Sequence, residues 1–476
     1  LKMWILYLLS MGWMSLLPVL AILPGLLLVL PQVVTNEHYE EVFPALALWV
    51  PVFTLLTIVS WVTLVIFSVR LCSAFIKPGY FLQQSLTGWA LWLTHSLLQK
   101  TLTSTYFLYA GWITPAFMRM LGARVGENTE ISTVETIPHL TSIGNHCFLA
   151  DHSLCTSARY RGGWVHVGTT VIADGSFVGN SGIVGADHDL PADSLIAVLS
   201  STPERPARGS SWLGRSVRRI PRSQVSAERE QTFNPSNYLK FARAFVELFR
   251  LAPAMIAAYL DLFIVWAGTI VYMHWGMGVA GMRAVVLLAT PIVLGAGVIA
   301  SLLPILMKWI LVGKFRAGNH TLFSTFVWRG ELVDNFGEML AVPSLVRMSL
   351  GSPLFNLWAR LMGARIGKNV WCETWWLPEF DLITIEDRAT VNRGTVLQTH
   401  LFHDRVMALE QVQIKCGATL GANSFMLPGS AIGERATIHP GSLVLRQDEV
   451  PRDTVWQGNP ISALDESGVQ STPTSD

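Results

Sequence analysis

The sequence predicts a membrane α plus all-β chain made of two tandem units, each a transmembrane helix pair followed by a parallel β-helix domain. Three observations predict it. Only 14% of the 476 residues are charged and 51% are hydrophobic, with a mean hydropathy of +0.41, whereas soluble proteins average about 25% charged residues. Four apolar stretches exceed the roughly 20 residues needed to cross a bilayer. Between and after them lie two segments that repeat each other, each with an aliphatic residue at every sixth position. A net charge of +1 gives no electrostatic basis for nucleic-acid binding.

The apolar spans run over 2–30, 45–69, 252–274 and 284–312. Pro18, Pro24 and Pro304 predict kinks, which membrane helices tolerate. The loop PQVVTNEHYEEVFP between the first two spans is acidic and lacks Lys and Arg. Only Arg283 lies between the third and fourth. The opposite ends carry Arg70, Lys77, Lys240, Arg243, Arg250, Lys308, Lys314 and Arg316. By the positive-inside rule, the long segments 77–250 and 313–476 are expected in the cytoplasm, at the plasma membrane. Asp261 is the one acidic residue within a span. The five cysteines show no CxxC pairing and read as buried thiols. The opening LKMWILYLLS reads as part of a longer polypeptide rather than a signal peptide.

Two stretches anchor the internal repeat. FMRMLGARVGENTEI (117–131) matches WARLMGARIGKNVWC (358–372) at an offset of 241. After one inserted residue the offset is 242, with Ile143 against Ile385 and Gly179 against Gly421. The predicted domains are therefore a hairpin over 1–76, a β-helix over 77–235, an interfacial helix and second hairpin over 236–316, and a β-helix over 317–464. A polar tail, 465–476, is expected to be disordered.

Within the β-helices, Val125, Ile131, Ile137, Ile143, Leu149 and Cys155 are six apart, as are Ile414, Leu420, Met426, Ile432, Ile438 and Val444. Gly often follows the aliphatic residue. A helix repeats at 3.6 and an ordinary strand at 2, so a period of six is the hexapeptide repeat of a parallel β-helix. The beat slips from 155 to 172 and from 397 to 414, a step of 17 in both. Such a slip predicts an extruded loop, and loops on rigid scaffolds are where chemistry concentrates. The second slip contains THLFHDR, with His400 and His403 beside Asp404 and Arg405. These admit three readings: a base with its helper, ordinary packing, or a His-x-x-His metal site with no evident third and fourth ligand.

GARIGKNVWCETWWLPEFDLITI (363–385), VNRGTVLQTHLFHDR (391–405), GSSWLG (209–214) and the GNP at 458–460, together with the membrane hairpins, resemble the C-terminal region of single-module nonribosomal peptide synthetases of the ε-poly-L-lysine synthetase type. More broadly the repeat resembles the hexapeptide acyltransferases, whose domains are left-handed parallel β-helices. In that family the region follows adenylation and carrier domains, and three membrane-plus-domain units are present where two are found here. The resemblance implies amide-bond formation between an aminoacyl thioester, carried on the phosphopantetheine arm of an upstream carrier domain, and a free amino acid or growing chain. It implies no directly bound cofactor and no metal. A non-catalytic scaffold docking carrier domains and a stand-alone acyl-CoA-dependent acyltransferase are the alternatives.

Amide formation needs a neutral amine, and an imidazole titrating near neutrality suits its deprotonation. His400 is accordingly the expected base, with His403 and Asp404 as catalytic partners. Asn392, Arg393, Arg405 and Glu373 are the expected substrate-binding residues. At the constant offset Ala158, Arg161 and Gly162 stand where His400, His403 and Asp404 do, so the first β-helix is expected to be non-catalytic, its His152, His166 and His188 doing other work. Arg159 and Arg161 are candidate contacts for a carrier's phosphate. The Trp371–Trp376 run is expected to pack a helix against the β-helix. The basic run Arg215, Arg218, Arg219 and Arg222, with the amphipathic stretch 237–250, is expected to meet anionic lipid.

Overall fold

A computed structural model of the chain describes residues 2–34, 39–155, 158–221, 228 and 231–464. The expected disordered tail and Arg222 lie outside the described residues. Four helices are long and apolar enough to cross a membrane, over Lys2–Pro31, Val42–Ser73, Asn237–His274 and Val279–Leu311.

The chain forms two compact units, one of Leu1–Arg222 with Arg250–Ala296, the other of Ser223–Phe249 with Gly297–Asp476. The helix Ala252–His274 joins the first unit, where the Tyr259 hydroxyl donates to the Ala47 carbonyl of Tyr39–Ser73. The helix Asn237–Leu248 joins the second, where its buried Arg243 pairs with Glu247 at 2.8 Å and lies over the Phe323 ring. Its apolar side chains Tyr238, Phe241, Phe245 and Leu248 are exposed, as a lipid-facing stripe requires.

In the first unit Lys2–Val34 and Tyr39–Ser73 lie antiparallel, with Trp13 Nε1 donating to Ser68 Oγ at 3.1 Å. The helix Leu86–Ser104 starts at Ser85, whose Oγ accepts from the Gly88 N–H. It lies along the first span, where Trp89 Nε1 donates to Ser10 Oγ.

Each β-helix is a three-sided coil of parallel strands. In the second unit the faces stack Ile385–Ile414–Ile432–Val450, Val391–Leu420–Ile438–Trp456 and Leu397–Met426–Val444. Paired residues such as Ile414 and Ile432 are 18 apart, three sides of six. The inward residues from Ile385 to Val444 are almost wholly buried, each contributing about 1.5–3 kcal/mol of apolar burial. The glycine after the aliphatic is demanded by close approach: a Cβ on Gly421 would sit 2.5 Å from Pro440 N on the next coil. The first unit stacks Ile143–Ile172–Leu190, Leu149–Val178–Ile196 and Cys155–Val184 in the same manner. Ile137 is an exception to the expected rungs, since Thr136 takes the ladder position opposite Cys155.

The slips in the beat are β-hairpins extruded at one corner. Ala158–Arg161 pairs with Trp164–Val167, and His400–His403 with Val406–Leu409. Across them the coil partners are 29 apart (Ile143 with Ile172, Ile385 with Ile414) and the stacking resumes unshifted. Gly162 and Gly163 form the first turn at φ +57° and +80°, Asp404 and Arg405 the second at +47° and +62°. Two consecutive left-handed residues are the signature of a type I′ hairpin turn. A third antiparallel strand completes each hairpin sheet, Gly79–Leu82 in the first unit and Gly318–Thr321 in the second.

A candidate active site on the second extruded hairpin

His400 opens the hairpin strand, and its Nδ1 lies 2.9 Å from Glu379 Oε2 and 3.0 Å from Oε1. A carboxylate only accepts, so Nδ1 carries the hydrogen and, in the neutral ring, Nε2 is the basic nitrogen. Glu379 is 6% exposed and Thr399 Oγ1 lies against its Oε2. Its backbone is left-handed at φ +42°, an unfavourable conformation for glutamate that surrounding structure must enforce.

Glu379 is absent from the residues expected from sequence, yet a signal for it exists. Coil partners in the first turn of the second β-helix are 19 apart (Cys372 with Val391) where the first β-helix has 18 (Ile131 with Leu149). The one extra residue falls in the stretch that turns Glu379 toward His400.

The expected helpers stand elsewhere. His403 is three residues from His400 on one strand, so the two rings leave opposite faces of the hairpin. Asp404, in the turn, reaches His403 Nε2 only at 3.9 Å and is not bonded to His400. Arg405 is 2% exposed; its Nη1 donates to the Thr232 carbonyl and its guanidinium covers the Phe233 ring at 4.8 Å. Asn392 Nδ2 donates to the Leu420 carbonyl of the next coil. Glu373 and Arg393 meet at 3.2 Å, Arg393 being largely exposed. Arg405 is thus buried, while the Glu373–Arg393 pair occupies a coil corner.

The helix Thr325–Phe336, capped by Ser324, brings a second acidic group. Asp334 has protein packed around it and lies near Glu379 and His400. That burial, reinforced by the charge of Glu379 and then opposed by His400, pushes its carboxyl up to about 8, with Glu338 and Glu331 adding to the rise. The helix continues as a π-helical segment, Gly337–Val346, whose Pro343 cannot donate in an α ladder. There Glu338 Oε1 accepts from Trp375 Nε1 at 3.0 Å, so this member of the tryptophan run does pack a helix against the β-helix. Buried Cys372 has its thiol pushed up to about 12 by burial, which makes it inert.

Several cations expected to read the membrane are internal. Arg250 donates to the carbonyls of Tyr109 and Ala110. Lys308 is fully buried, 2.8 Å from Asp381 Oδ2, which also accepts from the Phe315 N–H. Lys77, Lys314 and Arg316 remain exposed. In the first unit Arg159 Nη2 lies 3.4 Å from His188 Nδ1 and His166 pairs with Asp187 at 3.0 Å.

A repeated membrane hairpin and hexapeptide β-helix, with an imidazole–carboxylate pair at the root of an extruded hairpin, define a membrane-associated protein of the hexapeptide acyltransferase fold. The chain is similar to Delta-poly-L-ornithine synthetase of Acinetobacter baumannii (strain AB307-0294), at 31% identity over 391 residues, a match covering 81% of this chain. The match covers 29% of that synthetase's length. No family model matches the chain. Among solved structures it is similar to the hexapeptide-repeat acetyltransferase VCA0836 of Vibrio cholerae (17% identity, 25% of this chain and 85% of that one, TM-score 0.21). It is also similar to galactoside acetyltransferase in complex with coenzyme A (19%, 25% and 76%, TM-score 0.21) and to the serine acetyltransferase of Neisseria gonorrhoeae (16%, 51% and 95%, TM-score 0.20).

Proposed function

We propose that this chain is the amide-forming part of an amino-acid polymer synthetase, with His400 as general base and Glu379 as its orienting carboxylate. The observation that carries this reading is the 2.9 Å contact between His400 Nδ1 and Glu379 Oε2. The donor is an aminoacyl thioester on the phosphopantetheine arm of an upstream carrier domain, and the acceptor a free amino acid or the growing chain. His400 Nε2 takes a proton from the acceptor amine. The amine nitrogen then forms the C–N bond as the C–S bond breaks, and the thiolate leaves to be protonated. Glu379 stabilises the imidazolium formed on the way.

The relative's monomer is L-ornithine by its name. An acidic surround of Asp334, Glu338 and Glu331 beside the Glu379–His400 pair suits a monomer whose side chain also ends in an ammonium. Exposed Lys77, Lys314 and Arg316 after the second and fourth helices support a cytoplasmic position for the β-helices, at the plasma membrane.

The test is product formation in membranes by the full-length protein, comparing wild type with His400→Ala. Carrier loading intact and product down by about 10²-fold or more supports the assignment. Normal polymerisation by His400→Ala refutes it.

A further inference from the structure

Ala158 occupies the place of His400 in the first unit, yet the same three elements meet there: a helix, a coil corner and an extruded hairpin. At the offset of 239 that sets Gly79 on Gly318 and Ser85 on Ser324, His95 of Leu86–Ser104 takes the place of Asp334. His95 Nδ1 lies 3.3 Å from Glu135 Oε1, on the strand Val134–Thr136. The second unit has an acid on the helix facing a histidine on the hairpin; here a histidine on the helix faces an acid on the coil.

The pair opens into a cleft. His152 also lines it, its backbone left-handed at φ +51° and its N–H donating to Thr133 Oγ1 at 2.8 Å. Leu98, Leu102 and Leu154 form the apolar wall. The bond from His95 holds the Glu135 carboxyl below its ordinary value, with the charge of His152 contributing, and His95 is raised in turn by that bond. Tyr160, on the extruded hairpin, is close enough for Glu135 to act on its hydroxyl, which burial raises first.

Stability does not account for this arrangement. His95 and Glu135 are 53% and 40% exposed, and an ion pair so open contributes about 0–1 kcal/mol. A carboxylate has about four lone-pair sites, of which the His95 bond uses one. An aliphatic wall ending in an accessible carboxylate and an imidazole fits a ligand with a hydrocarbon stem and a cationic tip.

We propose that this cleft is a second ligand site, binding the ammonium end of an aliphatic primary amine: Glu135 is the counter-ion, His95 holds the Glu135 carboxylate in place through Nδ1, and the leucine wall packs the methylene stem. No acyl transfer occurs in it, and the proposal does not rest on the role of His400.

Titration calorimetry tests it on the full-length protein in detergent, in wild-type, His400→Ala, Glu135→Gln and His95→Ala forms, with pentylammonium as probe and 1-pentanol as its uncharged counterpart. The expected result is saturable pentylammonium binding that persists in His400→Ala, weakens at least tenfold in Glu135→Gln and His95→Ala, and is absent for 1-pentanol. Thermal midpoints within about 2 °C of wild type establish that these variants are folded. Equal binding of 1-pentanol, or binding lost in His400→Ala and kept in Glu135→Gln, overturns the proposal and leaves His95–Glu135 a surface ion pair.

Discussion

His400 and Glu379 meet at 2.9 Å across 21 residues of sequence, and they do so because Glu379 is held left-handed at φ +42°. The carboxylate turns inward at a point where an ordinary coil corner would send it to solvent. Replacing Glu379 by Gln removes the charge that stabilises the imidazolium while keeping the volume. Product formation is expected to fall by about 10²–10⁴-fold with carrier loading unchanged, measured by radiolabelled product in membranes. A loss below twofold would separate Glu379 from the chemistry.

Asp404 and Arg405 share one turn and should respond differently. Asp404→Asn keeps a residue that tolerates the left-handed region and leaves His400 untouched, so product is expected within about twofold of wild type. Arg405→Ala removes the partner of the buried Thr232 carbonyl and the cover on Phe233, costing about 1–3 kcal/mol. A lowered thermal midpoint, with product per folded molecule little changed, is the expected pattern.

Lys308 and Asp381 form an ion pair that is 0% and 3% exposed. Breaking one partner strands the other charge, at a cost of about 3–5 kcal/mol. Lys308→Met is therefore expected to lower stability more than the double variant Lys308→Met/Asp381→Asn, whose neutral side chains strand no charge. Thermal midpoints in detergent check this, and additive losses would show that the pair is uncoupled.

Asp334 gives stability a defined pH dependence. Its folded value of about 8 lies above the ordinary carboxylate value of 3.8, so the native state binds this proton more tightly than the unfolded chain. The stabilisation is complete below the ordinary value and is lost as pH rises toward 8. Asp334→Asn is expected to flatten the fall in thermal midpoint between about pH 4 and 8. A parallel fall in variant and wild type would assign the slope to other groups.

The coils were legible because their physics is periodic. One aliphatic per six residues reports the inward position of each side, and the break in that beat reports the hairpin. What escaped the reading depends on contacts without a period. Glu379 reaches His400 only through an extra residue in its coil, and Asp334 looks like any polar residue on a half-buried helix. Arg243, Arg250 and Lys308 read as flanking charges because sequence alone cannot distinguish a cation facing headgroups from one capping a carbonyl or pairing inside. Ile137 kept the beat in sequence but yielded its ladder place to Thr136, since the chain enters a turn at Pro138.

Because coil stacking resumes unshifted on either side of each extruded hairpin, the hairpin is a module mounted on a frame that does not register its contents. One copy has Gly-Gly at its tip and Ala158 at its root, while the other has Asp-Arg and His400. The coil stacking is the same in both, so two different hairpins coexist on one repeated frame. The frame is therefore expected to accept either hairpin at either position.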